Sequence, residues 1–531
     1  MKIKKVAYFI MLLSGNSLAN EQSIIISESI ANNMFIGAVD TRFNLSDNQP
    51  LNYQQLISSH GQQYLWFTKN KNKNKLNLSG LSLVSLLNDL GIKRLPYEDI
   101  DSLVNLSEAD QQLSQQLFYI ATLFNGYQIK PVENPKEEII HAIKSQNLAA
   151  YVDRLLPQFD EVVRLRAAIA FHRKLSKSTW PRLDINLSFK LGQGHQEVAK
   201  IRQILTVLGD LDKGSYSAYR QHIFDPEVII ALKKFQGRHG LKQNGKLTPQ
   251  TIKALNITPE KRITIMQINL WRWLSLPSMP PQRYVMVNIP SYQLSLIENQ
   301  QERLSMKVIV GDSQHPTPIM VTQVNSVTIN PTWTPTYNIV HKELLPENTS
   351  NPGSLRKQNF KLAKGDGSKR VFQTVFNDSA SIKSALGEYQ LVQAAGNNNA
   401  LGKYRFNIKN FHSVYLHDTP VKNLFNKTNR ALSHGCVRLQ SADKLAKQVL
   451  TNDGVINKQQ VNKAIRSTKT QHFALAQSIP VYLTYQTVLV SSAGKLQWQN
   501  DIYQQDAKIL FQMGMRSQSS ATNNNVMLAL Q

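Results

Sequence analysis

Apolar residues recur at helical spacing through the N-terminal third of the chain. Ser79 precedes a leucine-rich stretch and Gly91 follows it, the positions at which helix N-caps and C-terminal glycines occur. A second stretch, which begins at Ser107, repeats apolar residues three and four positions apart. We therefore predict a mostly helical scaffold region over residues 20–190, in which we find no catalytic motif.

Residues 191–260 show a shorter helical pattern. Asp225-Pro226 and Thr248-Pro249 each set a capping side chain before a proline at the first helical position, and Asn244-Gly245 is typical of a turn. The pattern predicts a small module of three helices.

From Tyr284 onward, short runs of β-forming residues with turn residues between them replace the helical pattern. They predict a mainly β domain over residues 280–496, with added helices, one of them starting near Ser441. Residues 345–385 interrupt this domain with polar sequence, and an insertion of this length is typical of a lid or a substrate-handling loop. Residues 515–531 are rich in Ser, Asn and Gln and are predicted to be disordered. The chain as a whole is predicted to be a multidomain α+β protein.

The first residues have the pattern of a secretory signal peptide. Lysines precede an apolar stretch from Val6 to Leu13, and Ser17-Leu18-Ala19 offers small residues to a signal peptidase. The apolar stretch is too short for a membrane anchor, and no later segment approaches the roughly 18 apolar residues of a transmembrane helix. We predict cleavage of residues 1–19, export, and no integral membrane segment in the mature form.

The chain is strongly basic, with 61 Lys and Arg against 36 Asp and Glu and a formal net charge of +25. Such an excess predicts an acidic partner, which is nucleic acid, anionic lipid or an acidic polymer. Because an exported protein rarely meets nucleic acid, export argues against that class and favours a partner outside the cytoplasm.

Cys436 is the only cysteine of the chain, which excludes an internal disulfide and any cysteine-based metal cluster. No metal or cofactor is predicted. Cys436 lies in the segment Ser433–Leu439 (SHGCVRL), a setting too polar for an inert core thiol. Covalent catalysis needs a thiolate, and a nearby imidazolium or cation lowers the ordinary thiol pKa of about 8.5. His434 and the upstream His417, in the segment YLHDT, are both candidate bases, and spacing alone does not choose between them.

Residues around the thiol have candidate roles of their own. Main-chain N–H groups near Gly435 and Cys436 are candidates for an oxyanion hole, because glycine lets the backbone approach a substrate closely. Asp418 is a candidate for orienting His417 and equally for capping a turn. Tyr415 shares the face of His417 if the segment is a strand, where it lines the site or packs.

The segments SHGCVRL and YLHDT resemble the catalytic motif of the YkuD-type L,D-transpeptidases. The resemblance extends to Asn269–Trp273 (NLWRW), Val287–Pro290 (VNIP), Gly311 with Thr317-Pro318, Asn330–Trp333 (NPTW), Lys342–Pro346 (KELLP) and Asn399–Gly402 (NALG).

The helical module also carries a resemblance. Phe235-Gln236 and His239-Gly240-Leu241 are similar to the peptidoglycan-binding type 1 domain, with Asn244 in place of the usual Asp. Together these regions are similar to the large periplasmic YcbB-like branch of the transpeptidase family, which implies a periplasmic location. The insertion and the linking segments are shorter here than in that branch.

The family resemblance implies roles for the site residues. Cys436 is the expected nucleophile, and His417 the expected general base and then general acid. Gly435 and neighbouring N–H groups are expected to hold the oxyanion, and Ser433 and His434 to shape the site.

The resemblance also implies the reaction. The thiol is expected to attack the carbonyl of the third residue of a tetrapeptide stem and to release D-Ala, and the side-chain amine of a second stem then forms a 3→3 cross-link in peptidoglycan. Stem peptides carry carboxylates, which fits the basic charge of the chain. Arg438 either contacts one of them or braces the loop, and bracing is slightly favoured. Roles in cell-wall biogenesis and cell shape, other periplasmic cell-wall synthases as partners, and acylation by carbapenems are further expectations.

Other functions stay open at this stage. A non-catalytic peptidoglycan-binding scaffold would keep the module and would not need Cys436. An L,D-carboxypeptidase would pass the acyl group to water, and related transferases would attach a lipoprotein to the wall or exchange a terminal D-amino acid. The module itself either binds glycan or serves as a spacer.

Overall fold

The structure is a computed structural model that describes residues 53–61, 63–70, 73–92, 105–125, 134–214, 218–365, 369–452 and 456–518. The predicted signal peptide, residues 1–19, lies outside these ranges. None of the helices in the described ranges combines the length and the apolar character needed to span a bilayer.

The N-terminal region is mostly helical, as predicted, and also holds a β-hairpin. Its elements are α1 (Tyr53–His60), β1 (Phe67–Asn70), β2 (Lys73–Leu76), α2 (Leu78–Asp89), α3 (Leu106–Asn125), α4 (Pro135–Lys144), α5 (Leu148–Arg154) and α6 (Asp160–Leu175). The cap of α2 is Asn77 and not the predicted Ser79, because Asn77 Oδ1 accepts a hydrogen bond from Gly80 N at 2.9 Å. The helices share one apolar core with Trp271 and Trp273.

The module contains the three predicted helices, α7 (Glu197–Val207), α8 (Pro226–Arg238) and α9 (Pro249–Leu255). Asp225 and Thr248 cap α8 and α9 through side-chain oxygens, as the sequence predicts. The separate apolar core of the module includes Leu183, which lies ahead of the predicted boundary at residue 191. The helix α10 (Pro259–Trp273) then leads to the β domain and packs against α6.

A nine-stranded mixed sheet forms the frame of the β domain. The strands from this domain and its insertion are β3 (Arg283–Asn288), β4 (Gln293–Glu298), β5 (Gln301–Gly311), β6 (Met320–Ile329), β7 (Phe360–Lys364), β8 (Val371–Thr374), β9 (Gln390–Gln393), β10 (Tyr404–Ile408), β11 (Leu416–His417), β12 (Ala431–Ser433), β13 (Val437–Leu439) and β14 (Gln471–Thr484). The large sheet has the order β12-β5-β13-β11-β10-β6-β14-β3-β4, and β4 also pairs with β5, which closes the sheet on itself. Alternate Val, Ile and Leu side chains of these strands fill the core inside it.

The insertion lies between β6 and β10 and is longer than the predicted residues 345–385. It has its own antiparallel sheet, β8-β7-β9, and its own apolar core. Trp333 and Gln393 close its base, because each main-chain N–H donates to the carbonyl of the other, at 3.0 and 2.7 Å. Its helices are α11 (Tyr337–Ile339), which a π-helical turn at Val340–Leu344 joins to α12 (Leu345–Ser350), α13 (Ser354–Lys357) and α14 (Ser379–Ala385).

The β domain extends beyond its predicted end at residue 496. The remaining elements are α15 (Ala442–Asn452), which is the helix predicted near Ser441, α16 (Lys458–Arg466), β15 (Val488–Val490), β16 (Leu496–Trp498) and α17 (Gln505–Gln518). Tyr503 belongs to the core of the domain. Helix α17 includes residues 515–518 of the segment predicted to be disordered, and the rest of that segment lies outside the described residues. The predicted multidomain α+β fold class is confirmed.

Candidate active site

Strand register places the predicted nucleophile and the predicted base on the same face of neighbouring chain segments. The strands β11 and β13 are parallel neighbours, in which His417 lies opposite Arg438. Val437 N donates to Tyr415 O at 3.1 Å, which continues the pairing one residue toward Cys436. Tyr415 therefore comes next to Cys436, and His417 follows two residues along the same face of β11.

The loop that carries the thiol is held by polar contacts of its own. Ser433 Oγ donates to Cys436 O at 2.5 Å and accepts from Gly435 N at 3.3 Å. Cys436 Sγ lies 3.7 Å from Ser413 O. Gly435 has a φ of 101°, a backbone conformation that other residues rarely adopt. The loop thus depends on the hydroxyl of Ser433 and on glycine at position 435.

A buried threonine ties this loop to the end of β5. Thr317 Oγ1 donates to Gly435 O and accepts from Gly311 N, both at 2.8 Å. Tyr503 completes the tie, because its hydroxyl accepts from Thr317 N at 3.1 Å and donates to Gly311 O at 2.7 Å. Gly311 packs so closely on the main chain of His315 that a Cβ would overlap it.

His417 is buried between positive charges. Arg405 of β10 and Arg438 of β13 lie opposite His417 in the register of the two neighbouring strands. Burial, together with the charges of Arg438, Arg405 and Lys422, lowers the pKa of His417 to about 3. Nδ1 of the ring has no hydrogen-bond partner within the described part of the chain. The imidazole is therefore neutral at neutral pH and can accept a proton.

Cys436 is half-buried, and burial raises the pKa of its thiol. The main-chain N–H and the hydroxyl of Tyr415 oppose this rise, as do the charges of Arg438 and Arg405. The Tyr415 ring lies edge-on to His417 with centroids 5.6 Å apart, and Arg405 Cζ lies 5.6 Å from the Tyr415 ring centroid. The pKa shifts of the thiol and the imidazole both favour a neutral pair as the resting state.

His434 is directed toward the insertion. Its Nε2 lies 2.6 Å from Oε1 of Glu343, which belongs to the π-helical turn, and its ring centroid is 4.8 Å from that of His315. His434 is therefore engaged with a carboxylate of the insertion, and this contact joins the insertion to the loop that carries Cys436.

The carboxylate of Asp418 is hydrogen-bonded to groups other than the imidazole. Asp418 Oδ1 accepts from Lys422 Nζ at 2.5 Å, and Oδ2 accepts from Lys403 N at 2.9 Å. These contacts of the carboxylate fit stabilisation of the local turn, while a main-chain hydrogen bond of Asp418 acts on His417. The assignment of Asp418 to the substrate-binding group stays a prediction.

Three residues of the site were missed as functional groups by sequence reasoning. Arg405 lies beside His417 only because β10 pairs with β11, and no local pattern marks it. Glu343 and Trp333 belong to segments that carry the family resemblance, and Trp333 donates a side-chain hydrogen bond that lowers the pKa of Tyr415 while burial raises it. The insertion therefore contributes two side chains to the site, those of Trp333 and Glu343.

Two regions of the chain match described families. Residues 282–457 match the family described as "L,D-transpeptidase catalytic domain", and residues 194–255 match the one described as "Putative peptidoglycan binding domain". A curated protein of Haemophilus influenzae named "Putative L,D-transpeptidase" is 33% identical over 259 residues, which are 49% of this chain and 50% of that protein. The chain thus spans about half the length of this relative.

Solved structures are similar over part of the chain. The structure described as the Ldtfm-avibactam carbamoyl enzyme is 13% identical and covers 39% of this chain and 51% of its own, with a TM-score of 0.19. An L,D-transpeptidase from Mycobacterium smegmatis is 10% identical and covers 39% of this chain and 60% of its own, with a TM-score of 0.18. TM-scores this low carry no argument about the present fold.

Proposed function

We propose that the protein is a peptidoglycan L,D-transpeptidase that forms 3→3 cross-links, since residues 282–457 match the L,D-transpeptidase catalytic domain family. The observation that carries the proposal is the position of the only thiol, Cys436, beside Tyr415 and the buried, neutral His417. Such a pair suits acyl transfer, in which the base must be free to take the thiol proton as the thiol attacks.

The proposed first step forms a thioester. The thiol proton passes to His417 as Cys436 Sγ bonds to the carbonyl carbon of the third stem residue. The imidazolium then protonates the departing amine, the C–N bond breaks and D-Ala leaves.

The second step releases the enzyme. The side-chain amine of another stem attacks the thioester, His417 takes a proton from this amine, and the thiolate leaves and is reprotonated. The product is an amide bond between two stems.

His417 is proposed as the base because it follows Tyr415, the neighbour of Cys436, on the same strand face, whereas His434 is directed toward Glu343 of the insertion. A pKa of about 3 makes His417 a weak base in the free protein, because the ring is buried and because Arg438 and Arg405 lie on either side of it. A carboxylate of the donor stem against either guanidinium offsets this positive charge and raises the pKa of His417. The base would thus become effective when the donor is bound.

The oxyanion is proposed to bind at the thiol loop. Gly435 N already donates to Ser433 Oγ, whereas Cys436 N has no main-chain acceptor among the described residues. Cys436 N is therefore the better-placed donor for the developing negative charge. Gly435 contributes to this oxyanion site through its backbone conformation, and the hydroxyl of Ser433 stabilises the loop that carries Cys436.

The module supports peptidoglycan as the substrate, since residues 194–255 match a peptidoglycan-binding family. We place the enzyme in the periplasm, where its basic surface meets acidic stem peptides and where other cell-wall synthases are available as partners. Carbapenems are proposed to acylate Cys436 in place of the donor.

Intact-protein mass spectrometry with a tetrapeptide donor tests the proposed chemistry. We expect the native protein to gain the mass of the donor minus D-Ala on the peptide that contains Cys436, and Cys436→Ala to gain none. Adding a second stem should remove the adduct and give a 3→3 dimer. An adduct on Cys436→Ala would refute the nucleophile, and release to water alone would indicate a carboxypeptidase.

A further inference from the structure

We propose that Glu343 and His434 form the binding site for the acceptor, in which Glu343 holds the ammonium group of the second stem and His434 takes its first proton. The inference rests on the proposed function, because it concerns the amine that attacks the thioester. Glu343 belongs to the π-helical turn of the insertion, and His434 belongs to the loop that carries Cys436.

Two protons must leave the acceptor nitrogen during transfer. At pH 7 a side-chain amine with a pKa of about 10.4 is almost entirely an ammonium with three N–H protons, whereas the amide product keeps one. His417 is proposed to take one proton as the amine attacks. The other proton must leave before the attack, because an ammonium has no free electron pair. Without a second base, the reaction depends on the roughly one amine in 2,500 that is neutral at pH 7.

The surroundings of His417 disfavour an ammonium. Burial lowers the pKa of His417 to about 3, and three nearby cations contribute to this shift, namely Arg438, Arg405 and Lys422. An imidazole in this setting is unsuited to take the first proton from a cationic amine. A carboxylate is better suited to attract the ammonium, because hydrogen bonds between opposite charges are the strong ones.

Glu343 offers such a carboxylate near the thiol. Its Oε1 lies 2.6 Å from His434 Nε2. Burial lowers the pKa of Arg438, and interactions with Cys436 and Glu343 both oppose this effect. The thiol and the carboxylate therefore both lie within electrostatic reach of the same guanidinium.

Both side chains of the pair are accessible to a stem that approaches from outside. Those of Glu343 and His434 are 48% and 35% exposed, and their contact uses one carboxylate oxygen and one ring nitrogen, so the other oxygen and nitrogen stay outside it. The nearby carboxylate of Asp312 is engaged by its own loop, since its Oδ1 accepts from the main-chain N–H groups of Gln314 and His315 at 2.9 and 2.7 Å.

The two bases together balance the protons of the transfer. His434 takes the first proton from the ammonium held by Glu343, which leaves a neutral amine with its electron pair. Imidazole takes up protons near neutral pH, and a carboxylate beside it stabilises the imidazolium that forms, until water removes the proton. The amine then bonds to the thioester carbon, and His417 takes the second proton and returns it to the departing thiolate. Water has no charge for Glu343 to hold, so the pair favours transfer over hydrolysis.

A comparison of two nucleophiles tests the acceptor site in the full chain. The thioester is formed with the tetrapeptide donor, and intact-protein mass spectrometry follows its loss to a tripeptide stem or to hydroxylamine. Hydroxylamine is mostly neutral at neutral pH, so it needs neither the carboxylate nor removal of a first proton. The ratio of the stem rate to the hydroxylamine rate therefore reports on the acceptor site and not on the general reactivity of the thioester.

The two residues of the pair should affect this ratio differently. We expect His434→Gln to lower it about 100-fold through the maximal rate, in the range of a lost general base. Glu343→Gln should lower it about tenfold, mainly by raising the stem concentration needed for half-maximal transfer, because it removes the charge that holds the ammonium.

Glu388→Gln is the matched control. Glu388 is another exposed carboxylate of the insertion with a basic partner, since its Oε2 accepts from Lys364 Nζ at 2.7 Å. The same substitution there should leave the ratio of the two rates unchanged.

An unchanged ratio in Glu343→Gln and His434→Gln would overturn the proposal, as would an equal fall in Glu388→Gln. Failure of the proposed function is a different result, in which the native protein forms no adduct or releases it only to water. That result would overturn the acceptor site as well.

Discussion

His417 lies between Arg405 and Arg438 in the register of three adjacent strands, and this placement sets its protonation state. Burial lowers the pKa of His417 and raises that of Cys436, so both groups are held in their neutral forms. The resting site then holds a neutral thiol and a neutral imidazole, and not a preformed thiolate–imidazolium pair. The reactivity of the Cys436 thiol should therefore depend on pH as that of a neutral thiol does.

The pH dependence of Cys436 alkylation tests the neutral pair. Because the thiol pKa is raised, the thiolate fraction should grow about tenfold per pH unit from pH 6 to 8, without a plateau. The rate at which iodoacetamide modifies Cys436, followed by intact-protein mass spectrometry, measures this thiolate fraction. A plateau between pH 5 and 8 would instead indicate a stable ion pair of thiolate and imidazolium.

Substitution of each histidine separates their roles. We expect His417→Ala to slow acylation by a carbapenem about 100-fold or more, in the range of a lost general base. His434→Ala removes a half-exposed contact with Glu343 and should slow acylation less than about tenfold. Intact mass over time gives both rates, and equal losses would contradict the assignment of His417.

At the scale of elements, the site depends on how short strands are tied together. Strands β11 and β13 span only Leu416–His417 and Val437–Leu439. Thr317 joins the loop that carries Cys436, which precedes β13, to the end of β5. The hydroxyl of Thr317 is fully buried and serves two main-chain groups at once.

Thr317→Val should therefore lower both stability and acylation. The change leaves Gly311 N and Gly435 O without their partner, which lowers the free energy of unfolding by about 1–3 kcal/mol. Thr251→Val removes a similarly buried hydroxyl in the module, which accepts from Gln236 Nε2 at 3.1 Å and lies 3.0 Å from Thr248 Oγ1. We expect this control to lower stability alone. Denaturant unfolding and carbapenem acylation measure the two effects, and unchanged acylation in Thr317→Val would contradict the role of the tie.

Local sequence patterns predicted the helices of the module and the segment that carries the thiol. Helix caps, prolines and a cysteine in polar surroundings can each be recognised from neighbouring residues alone. Asp225 and Thr248 cap their helices as predicted. Arg405 was missed because its position beside His417 follows from pairing between distant strands. The insertion was predicted too short because Gln390–Gln393, a short run in polar surroundings beyond residue 385, joins the insertion only by pairing with Phe360–Lys364.

At the scale of the whole molecule, the module packs on the C-terminal hairpin of the catalytic region. The ring of His239 stacks on Phe235 and lies 6.0 Å from that of Trp498, in a nearly parallel arrangement. Arg262 Cζ lies 5.3 Å from the Trp498 ring. These contacts hold the module in one orientation relative to the catalytic domain.

Trp498→Ala should weaken the packing of the module on the catalytic region and leave the reactivity of the Cys436 thiol unchanged. Loss of a buried tryptophan costs about 3–5 kcal/mol and removes the ring that His239 and Arg262 contact. Small-angle scattering should show a larger radius of gyration, with the rate of carbapenem acylation unchanged. Trp498→Phe, which keeps an aromatic ring, should stay compact, and a compact Trp498→Ala would contradict the role of this contact.

We propose that Cys436 carries the acyl group between two peptidoglycan stems. Mass spectrometry of muropeptides from cells that express either the native protein or Cys436→Ala tests this role. We predict 3→3 dimers with the native protein and none with the alanine form at equal protein levels. Dimers formed by Cys436→Ala, or tripeptides without dimers from the native protein, would contradict it.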